Sequence, residues 1–599
     1  MSDSLLAWYE RELTLLWEGG RRFSDKHPQQ ARHLGISDDG IDDPHVARVI
    51  ESFALLTAHL SRQASEEAVR ISAGLLQIMF PLCLQPLPSA SMIRVAPSIE
   101  QPTVTSLPPG TRFRAYIDDN RYCQFHTTSH LELCPFDIVH SRIEQRPFAR
   151  DDIQYPDRTD ATLSLEMVML DESLSFADIA AVADIAELTI HFKGIARLQS
   201  LMYDVLCREL CQIVLVDDRG VQEKLPLSAF LPVGFSDRDF ILTHDNTSFA
   251  DYQMMAELFS WPELFFGFRL KGIGPLLRRF SSHRLTLLFC LESIPDELAR
   301  AASHVQFLLG CAPVINLFDQ IAEPVVVDHR QLDYPVIPDS HSPNQMEIQT
   351  IREVFDITGE QSEVLPPLYG LRHHDREHHR FWLYRPVDDD SEAFGHLEVI
   401  VTDMDPGKNQ VMVLSPHLVC SNGDQVLDLP GQPRLECLDS IVLKQEAKIL
   451  MRPTAPAKRV RDQKTWLNLL VHLSDNMVSV LEAKDPARQL RNLMSLYAIR
   501  RTPASMAWLE SLVSISARPQ VAPIRIDGHQ CFTQGSEVVI ELDPVKLKHT
   551  SIMMFTNLLD FLASGFAGFH SFIQVVVQLK GREEEYVRCI RRHGYQINR

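Results

Sequence analysis

The densest set of metal-ligand side chains is His373-His374-Asp375-Arg376-Glu377-His378-His379. His374 and His378 are four apart, so a helix would present both imidazoles on one face, with Glu377 beside them. That spacing suits zinc, and through zinc a metal-dependent hydrolase. A catalytic zinc site takes a third protein ligand and keeps an open position. The sequence points to no third ligand. Arg372, Arg376 and Arg380 also crowd the segment with positive charge, which opposes a dication. The competing reading is a solvated or interface-facing His/Arg stretch leading into a strand at Phe381–Tyr384. His374 and His378 stand as candidate ligands only, and no catalytic residue, cofactor or metal is assigned.

Other chemistry is thinner. The sequence has no GxxxxGK[ST] loop, no GxGxxG after a strand, no GxSxG elbow and no HExxH helix. Gly267, Gly272 and Gly274 lie close together, but Arg269 and Leu270 between them fit a turn and not a phosphate loop. Asp388-Asp389-Asp390 follows Pro386 and reads as a solvated loop. The eleven cysteines form no CxxC pair. Cys207 and Cys211 fall on one helical face without a second pair to complete a metal site, so free thiols in a reducing compartment are expected.

The bulk properties agree. A chain of 599 residues is too long for one core, and 45% apolar with 23% charged residues is ordinary globular composition. The formal charge of −21 argues against nucleic acid and anionic lipid as partners. The start has no basic n-region and no apolar h-region, and no apolar run approaches the ~20 residues of a membrane span. A cytoplasmic protein without direct membrane insertion is expected.

The elements that would position any site fall into four regions. Residues 1–90 read as a helical region. Leu5, Tyr9, Leu13 and Leu16 make one amphipathic face, which Gly19-Gly20 should end or kink. Asp43 and Pro44 mark a helix start as N-cap and first helical residue. A stripe at Val46, Val49, Ile50, Phe53, Leu56 and Leu60 follows, then a second at Ala68, Ile71, Leu75 and Ile78, with a break expected at Ser65-Glu66-Glu67.

Residues 91–312 read as a β-rich domain with inserted helices, among them Leu198–Leu206 extending to Cys211, Phe249–Phe259 and Asp296–Leu309. Residues 313–460 read as a second β-rich domain. Residues 461–599 read as a mixed α/β domain with helices at Trp466–Leu481, Pro486–Ala498, Thr550–Phe566 and Glu583–Ile590. The fold class is α+β and multidomain.

In the N-terminal region, Trp8, Tyr9 and Trp17 lie near one apolar sector of the first helix, with Arg11 beside them. Aromatics and arginine are favoured interface anchors. This helix either packs on a partner's helix or serves the chain's own core.

One pattern runs along the chain. Tyr9-Glu10-Arg11-Glu12-Leu13, His27-Pro28, Leu34-Gly35, Asp43-Pro44-His45-Val46, Phe53-Ala54, Phe80-Pro81 and Pro86-Leu87-Pro88-Ser89 resemble the opening of the TssF family, also called VasA or ImpG, of the type VI secretion system. Cys311-Ala312-Pro313-Val314-Ile315-Asn316-Leu317-Phe318, Ala322-Glu323-Pro324 and Asp328-His329-Arg330 resemble its central block. Leu418-Val419-Cys420-Ser421-Asn422 is similar too, and Phe532, Gly535, Glu537, Phe555, Leu559 and Phe561 fit its C-terminal end. His570 departs from the pattern, which has asparagine there.

The resemblance implies a structural, non-enzymatic baseplate subunit. Two copies would join one TssG to form a wedge. Wedges would surround the VgrG hub, contact TssK and lead through TssE toward the sheath, in the cytoplasm and docked at the inner membrane through the secretion system's membrane complex. An adaptor of another phage-tail-like injection machine is the nearest alternative. Asp43, Pro44, His45, Asn316, Phe318, Asp328, His329 and Arg330 are the candidate structural or inter-domain residues.

Overall fold

The computed structural model describes residues 5–33, 35–37, 40–41, 43–100, 103–148, 150, 153–236, 239–242, 250–331, 333–341, 345–368, 380–385, 396–401, 411–439, 447–458, 463–474, 481, 483–526, 529–565, 567 and 571–593. It is an α+β chain of several packed sheets with a helical N-terminal region.

Two long helices begin it, with a short one at Pro28–His33 between them. The first, Leu5–Lys26, runs straight through Gly19-Gly20. Two glycines cost about 1 kcal/mol each in a helix, and packing along the second helix outweighs that. The second, Pro44–Met79, is one helix of 36 residues. No break occurs at Ser65-Glu66-Glu67, because none of these residues removes a donor or clashes with the preceding turn. Asp43 caps it as expected. Its carboxylate accepts the His45 N–H at 2.8 Å, and Pro44 occupies the first turn.

A six-stranded sheet follows, in the order Leu435–Cys437, Arg112–Tyr116, Tyr122–Thr127, Cys311–Ile315, Ala90–Val95, Ala447–Ile449. It closes over its own core around Phe113, Phe125 and Val314. Sheet membership thus crosses residue 312, and strands far apart in sequence lie side by side.

Between Ile315 and Leu435 the chain leaves this sheet to build a lobe. The lobe has a five-stranded sheet centred on Met412–Ser421, a three-stranded sheet, and a separate core that includes Phe318, Val354, Trp382 and Leu414.

The largest core joins three further sheets to the helices Ala250–Ser260, Gln463–Ser474, Pro486–Tyr497 and Ile552–Gly565. Trp261, Trp508 and Phe555 lie at its centre, and the Trp508 and Phe555 rings stack at 5.9 Å. The C-terminal sheet orders Leu512–Ile526, His529–Leu542, Phe572–Leu579 and Glu585–Arg588.

Several local expectations fail, each for a tertiary reason. The helix after Pro295 stops at Ala301, and Gln306–Leu308 is a strand paired with His191–Lys193. Glu585–Arg588 is a strand on Phe572–Leu579, not a helix. Gly267–Lys271 is a strand and not a turn. The helix Ala196–Arg208 ends before Cys211, which belongs to the strand Leu210–Asp217, so Cys207 and Cys211 share no helical face. In each case pairing with a distant strand overrides local propensity.

Candidate assembly surface

The long helix Pro44–Met79 has an inverted amphipathic pattern. The side chains it buries are small: Ala54, Ala58 and Ser72, with Leu76 near its end. Its large apolar side chains face solvent. Val49, Phe53, Leu56, Leu60, Ile71 and Leu75 are each between 48% and 67% exposed. Spacings of four, three and four from Val49 to Leu60, then eleven to Ile71, keep them on one side of the helix. At 1.5 Å per residue this stripe runs about 40 Å. Covering the exposed half of one such side chain contributes about 1 kcal/mol. The exposed apolar side chains form two clusters on that side, Val49 to Leu60 and Ile71 to Leu75, and apolar clusters of this kind mark a protein-binding surface.

The first helix packs on the second without burying any of its own residues fully. Ser61 donates to the Glu12 carboxylate at 3.0 Å across the pair. Tyr9 lines an open groove of about 410 Å³ with Leu5, Leu6, Glu51, Ser52 and Leu55. Trp8 is half-buried, with the Arg11 guanidinium 5.5 Å from its ring centroid. Trp17 is 53% exposed. Because the helix is continuous, Trp8 and Trp17 lie two and a half turns apart, on opposite sides, and not in one sector.

A second junction ties the lobe to the six-stranded sheet. Asn316 is fully buried where the chain enters the lobe, and Asn422 lies where it returns. The Asn422 N–H donates to Asn316 Oδ1 at 2.8 Å, and Asn316 Nδ2 donates to Asn422 Oδ1 at 2.9 Å. Both asparagines also bond the Gln124 backbone, Asn316 to its carbonyl and Asn422 to its N–H. Phe318, two residues on, enters the lobe core and pairs with Cys420.

The Asp328-His329-Arg330 turn makes its contacts inside the lobe. Asp328 accepts from the Arg330 N–H at 3.1 Å and the Tyr334 hydroxyl at 3.2 Å. His329 takes a left-handed φ of 59°, and Arg330 is exposed. His45 is likewise exposed beside its cap.

The buried ionisable groups serve structure. Glu257 accepts the N–H groups of Ile241 and Leu242 at 2.8 and 2.9 Å, and burial pushes its carboxyl up to about 7. Asp204 caps the helix Ile552–Gly565 from outside by accepting from Ser551, Ile552 and Met553. Burial pushes it up to about 6. His191 sits under Gly267, where a Cβ would come within 2.9 Å of its ring. Burial first, then the Arg269 charge, pushes it down to about 4, so it is a neutral core imidazole.

The ten cysteines whose side chains are described are free. Glu323, Asp339 and His341 gather at one turn, but Glu323 already accepts from the Ser340 N–H and hydroxyl, and Asp339 from the His341 N–H. These carboxylates close a turn. His373–His379, with His374 and His378, lie outside the described residues. No described helix is long and apolar enough to cross a membrane.

Sequence reasoning missed Asn422 as the partner of Asn316, and also Glu257 and Asp204. The first was findable, because both asparagines sit in blocks that carry the family resemblance. The other two are isolated acids in apolar helices, a signal without a spacing rule.

A chain whose buried charges hold its own backbone, and which exposes large apolar side chains along one helix, has the character of a subunit built for assembly with other proteins. The sequence matches the family described as Type VI secretion system, TssF over residues 1–596, and the chain belongs to that family. It is a component of the secretion machinery and not an enzyme. It is 24% identical over 628 aligned residues to the type VI secretion system component TssF1 of Pseudomonas aeruginosa strain PAO1, covering 100% of both chains. Its fold matches a chain of the cryo-electron microscopy structure of the TssK-TssF-TssG baseplate subcomplex. There the TM-score is 0.69 at 18% identity, over 91% of this chain and 99% of the other. A chain of the type VI baseplate complex matches with a TM-score of 0.57 at 18% identity, over 98% and 99%.

Proposed function

We propose that this chain is a wedge subunit of the type VI baseplate and that the stripe on Pro44–Met79 is its main assembly surface. The observation that carries this is the inverted helix, small side chains inward and large apolar ones outward. A monomer gains nothing from that arrangement, whereas a helix bundle shared between chains needs it. TssG and TssK are the first partners, since relatives of the same fold are found in a TssK-TssF-TssG subcomplex. The bundle takes a TssG helix against the stripe. Trp8, Tyr9, Arg11 and Trp17 flank it, with Trp8 and Trp17 serving different neighbours.

A second copy of the chain within the wedge, TssE toward the sheath and the VgrG hub at the centre complete the set that the family resemblance implies. The subunit works in the cytoplasm, docked at the inner membrane through the membrane complex. Of the regions 1–90, 91–312, 313–460 and 461–599, the first serves as the bundle region, while the second and third work as one body through the six-stranded sheet they share. Co-expression with tagged TssG and TssK tests the reading: a stable ternary complex supports it, and a chain that purifies alone opposes it.

A further inference from the structure

The lobe carries a surface that the N-terminal stripe does not explain. Its five-stranded sheet turns one face into the lobe core, through Phe318, Val354, Leu414 and Leu418. Strand alternation puts the neighbouring residues on the opposite face. There Ile321 pairs with His417, Val326 with Val413, and Phe355 with Ser415 on one side and Val364 on the other. Ile321 is 61% exposed, Val326 54% and Val364 50%. Val413 and Phe355 lie half-buried between the two valines, and the Phe355 ring meets His417 at 4.6 Å. Strands in four neighbouring positions make this face about 15 Å wide. A sheet face open to water ordinarily carries polar side chains, so an apolar one marks a contact surface.

Charge defines what covers it. The five strands contain Asp319, Glu347, Glu353, Asp356 and Glu363 but a single arginine, Arg352. Asp319 holds Arg352 at 3.0 Å, so that cation is already paired. Glu353 lies on the outer face opposite His417, and Glu360 is exposed in the turn that leads to Val364. The imbalance continues through the lobe. Residues 318–421 contain nineteen Asp and Glu against seven Lys and Arg, a formal −12 of the chain's −21. Such a lobe repels nucleic acid and anionic lipid, and it repels a second copy of this acidic chain. What fits is a different protein whose docking surface is apolar at its centre and basic around it.

We propose that the outer face of the lobe sheet docks a surface of this kind on TssK. The inference rests on the reading that the stripe on Pro44–Met79 takes TssG. TssK, the other protein of the subcomplex in which relatives of this fold are found, then needs a surface of its own. The lobe offers one, because its separate core lets it hold a partner without disturbing the helix pair.

The test measures binding of purified TssK to the full-length chain by biolayer interferometry, with TssG measured in parallel. Val326→Asp together with Val364→Asp weakens TssK about tenfold or more and leaves TssG unchanged. Glu353→Lys together with Glu360→Lys keeps the apolar face and weakens TssK more at low ionic strength than at high, where the charges are screened. Circular dichroism verifies each fold, and the charge variant decides the question should the apolar variant unfold. Folded variants that bind TssK as tightly as the unaltered chain overturn the lobe face and leave the TssG reading standing. An unaltered chain that binds TssG but never TssK does the same. A chain that binds neither partner overturns both.

Discussion

Asn316 and Asn422, 106 residues apart in sequence, hold each other through both ends of the Asn316 amide. They stand at the two places where the chain crosses between the six-stranded sheet and the lobe. A single hydrogen bond would leave the crossings free to twist about it. Two opposed bonds, with the Gln124 backbone as a third point, fix the angle of the lobe.

Asn316→Ala should therefore cost about 1–3 kcal/mol, because it strands buried polar groups on Asn422 and Gln124. Asn422→Ala should cost a similar amount. The double variant should cost less than the sum, since the second change removes a partner already lost. Chemical denaturation of the four chains checks this, and strict additivity would mean that the two amides act independently.

Gly310 takes a left-handed φ of 68°, and a Cβ there would sit 2.3 Å from the Val95 carbonyl oxygen. Gly110 has a φ of 87° with nothing within 4 Å. Gly110→Ala should cost about 1 kcal/mol, the price of the conformation alone. Gly310→Ala should cost about 2 kcal/mol or more, because the sheet must also move. Equal losses in melting temperature would show that the close approach to Val95 is unimportant.

Glu257 titrates at about 7 in the folded chain, above the ordinary glutamate value of 4.5, because burial disfavours its charge. A raised folded value means that its stabilising effect is complete below the unfolded value and is lost as pH rises through the folded one. Between pH ~4.5 and ~7 the native chain should thus lose stability relative to Glu257→Gln. Melting temperatures of both across that range should converge or cross as pH rises. Parallel curves would place the titration elsewhere.

Much of this architecture was legible in the sequence. Helix starts with a cap and a first-turn proline, such as Asp43-Pro44, are local signals that tertiary contacts do not overturn. Strands such as Arg284–Leu291 are equally plain, because burial on both faces leaves an unbroken apolar run. What failed was punctuation. Gly19-Gly20 and Ser65-Glu66-Glu67 looked like breaks, yet the first helix, packed on the second, runs on through its glycines, and no residue of Ser65-Glu66-Glu67 forces a helix to stop. Asp296–Ala301 is a helix as expected, but the residues after it and those after Glu583 looked helical and instead offer strands to distant edges.

The assembly surface was half legible. The stripe on Val49, Phe53, Leu56 and Leu60 could be read as a period, but a period does not say which side of a helix the chain itself will cover. Only the burial of Ala54 and Ala58 in the folded chain shows that the large side chains remain outside. The Asn316 junction was legible as a motif and not as a pair, because nothing local links it to Asn422.

The central claim is that the exposed stripe is the surface through which this subunit joins its neighbours. Phe53→Asp together with Leu60→Asp tests it most directly, in co-purification with TssG and TssK. Both side chains are open to solvent, so circular dichroism and melting temperature should stay within error of the unaltered chain. The predicted result is a folded chain that no longer retains TssG. A folded variant that binds TssG as tightly as before would contradict the account.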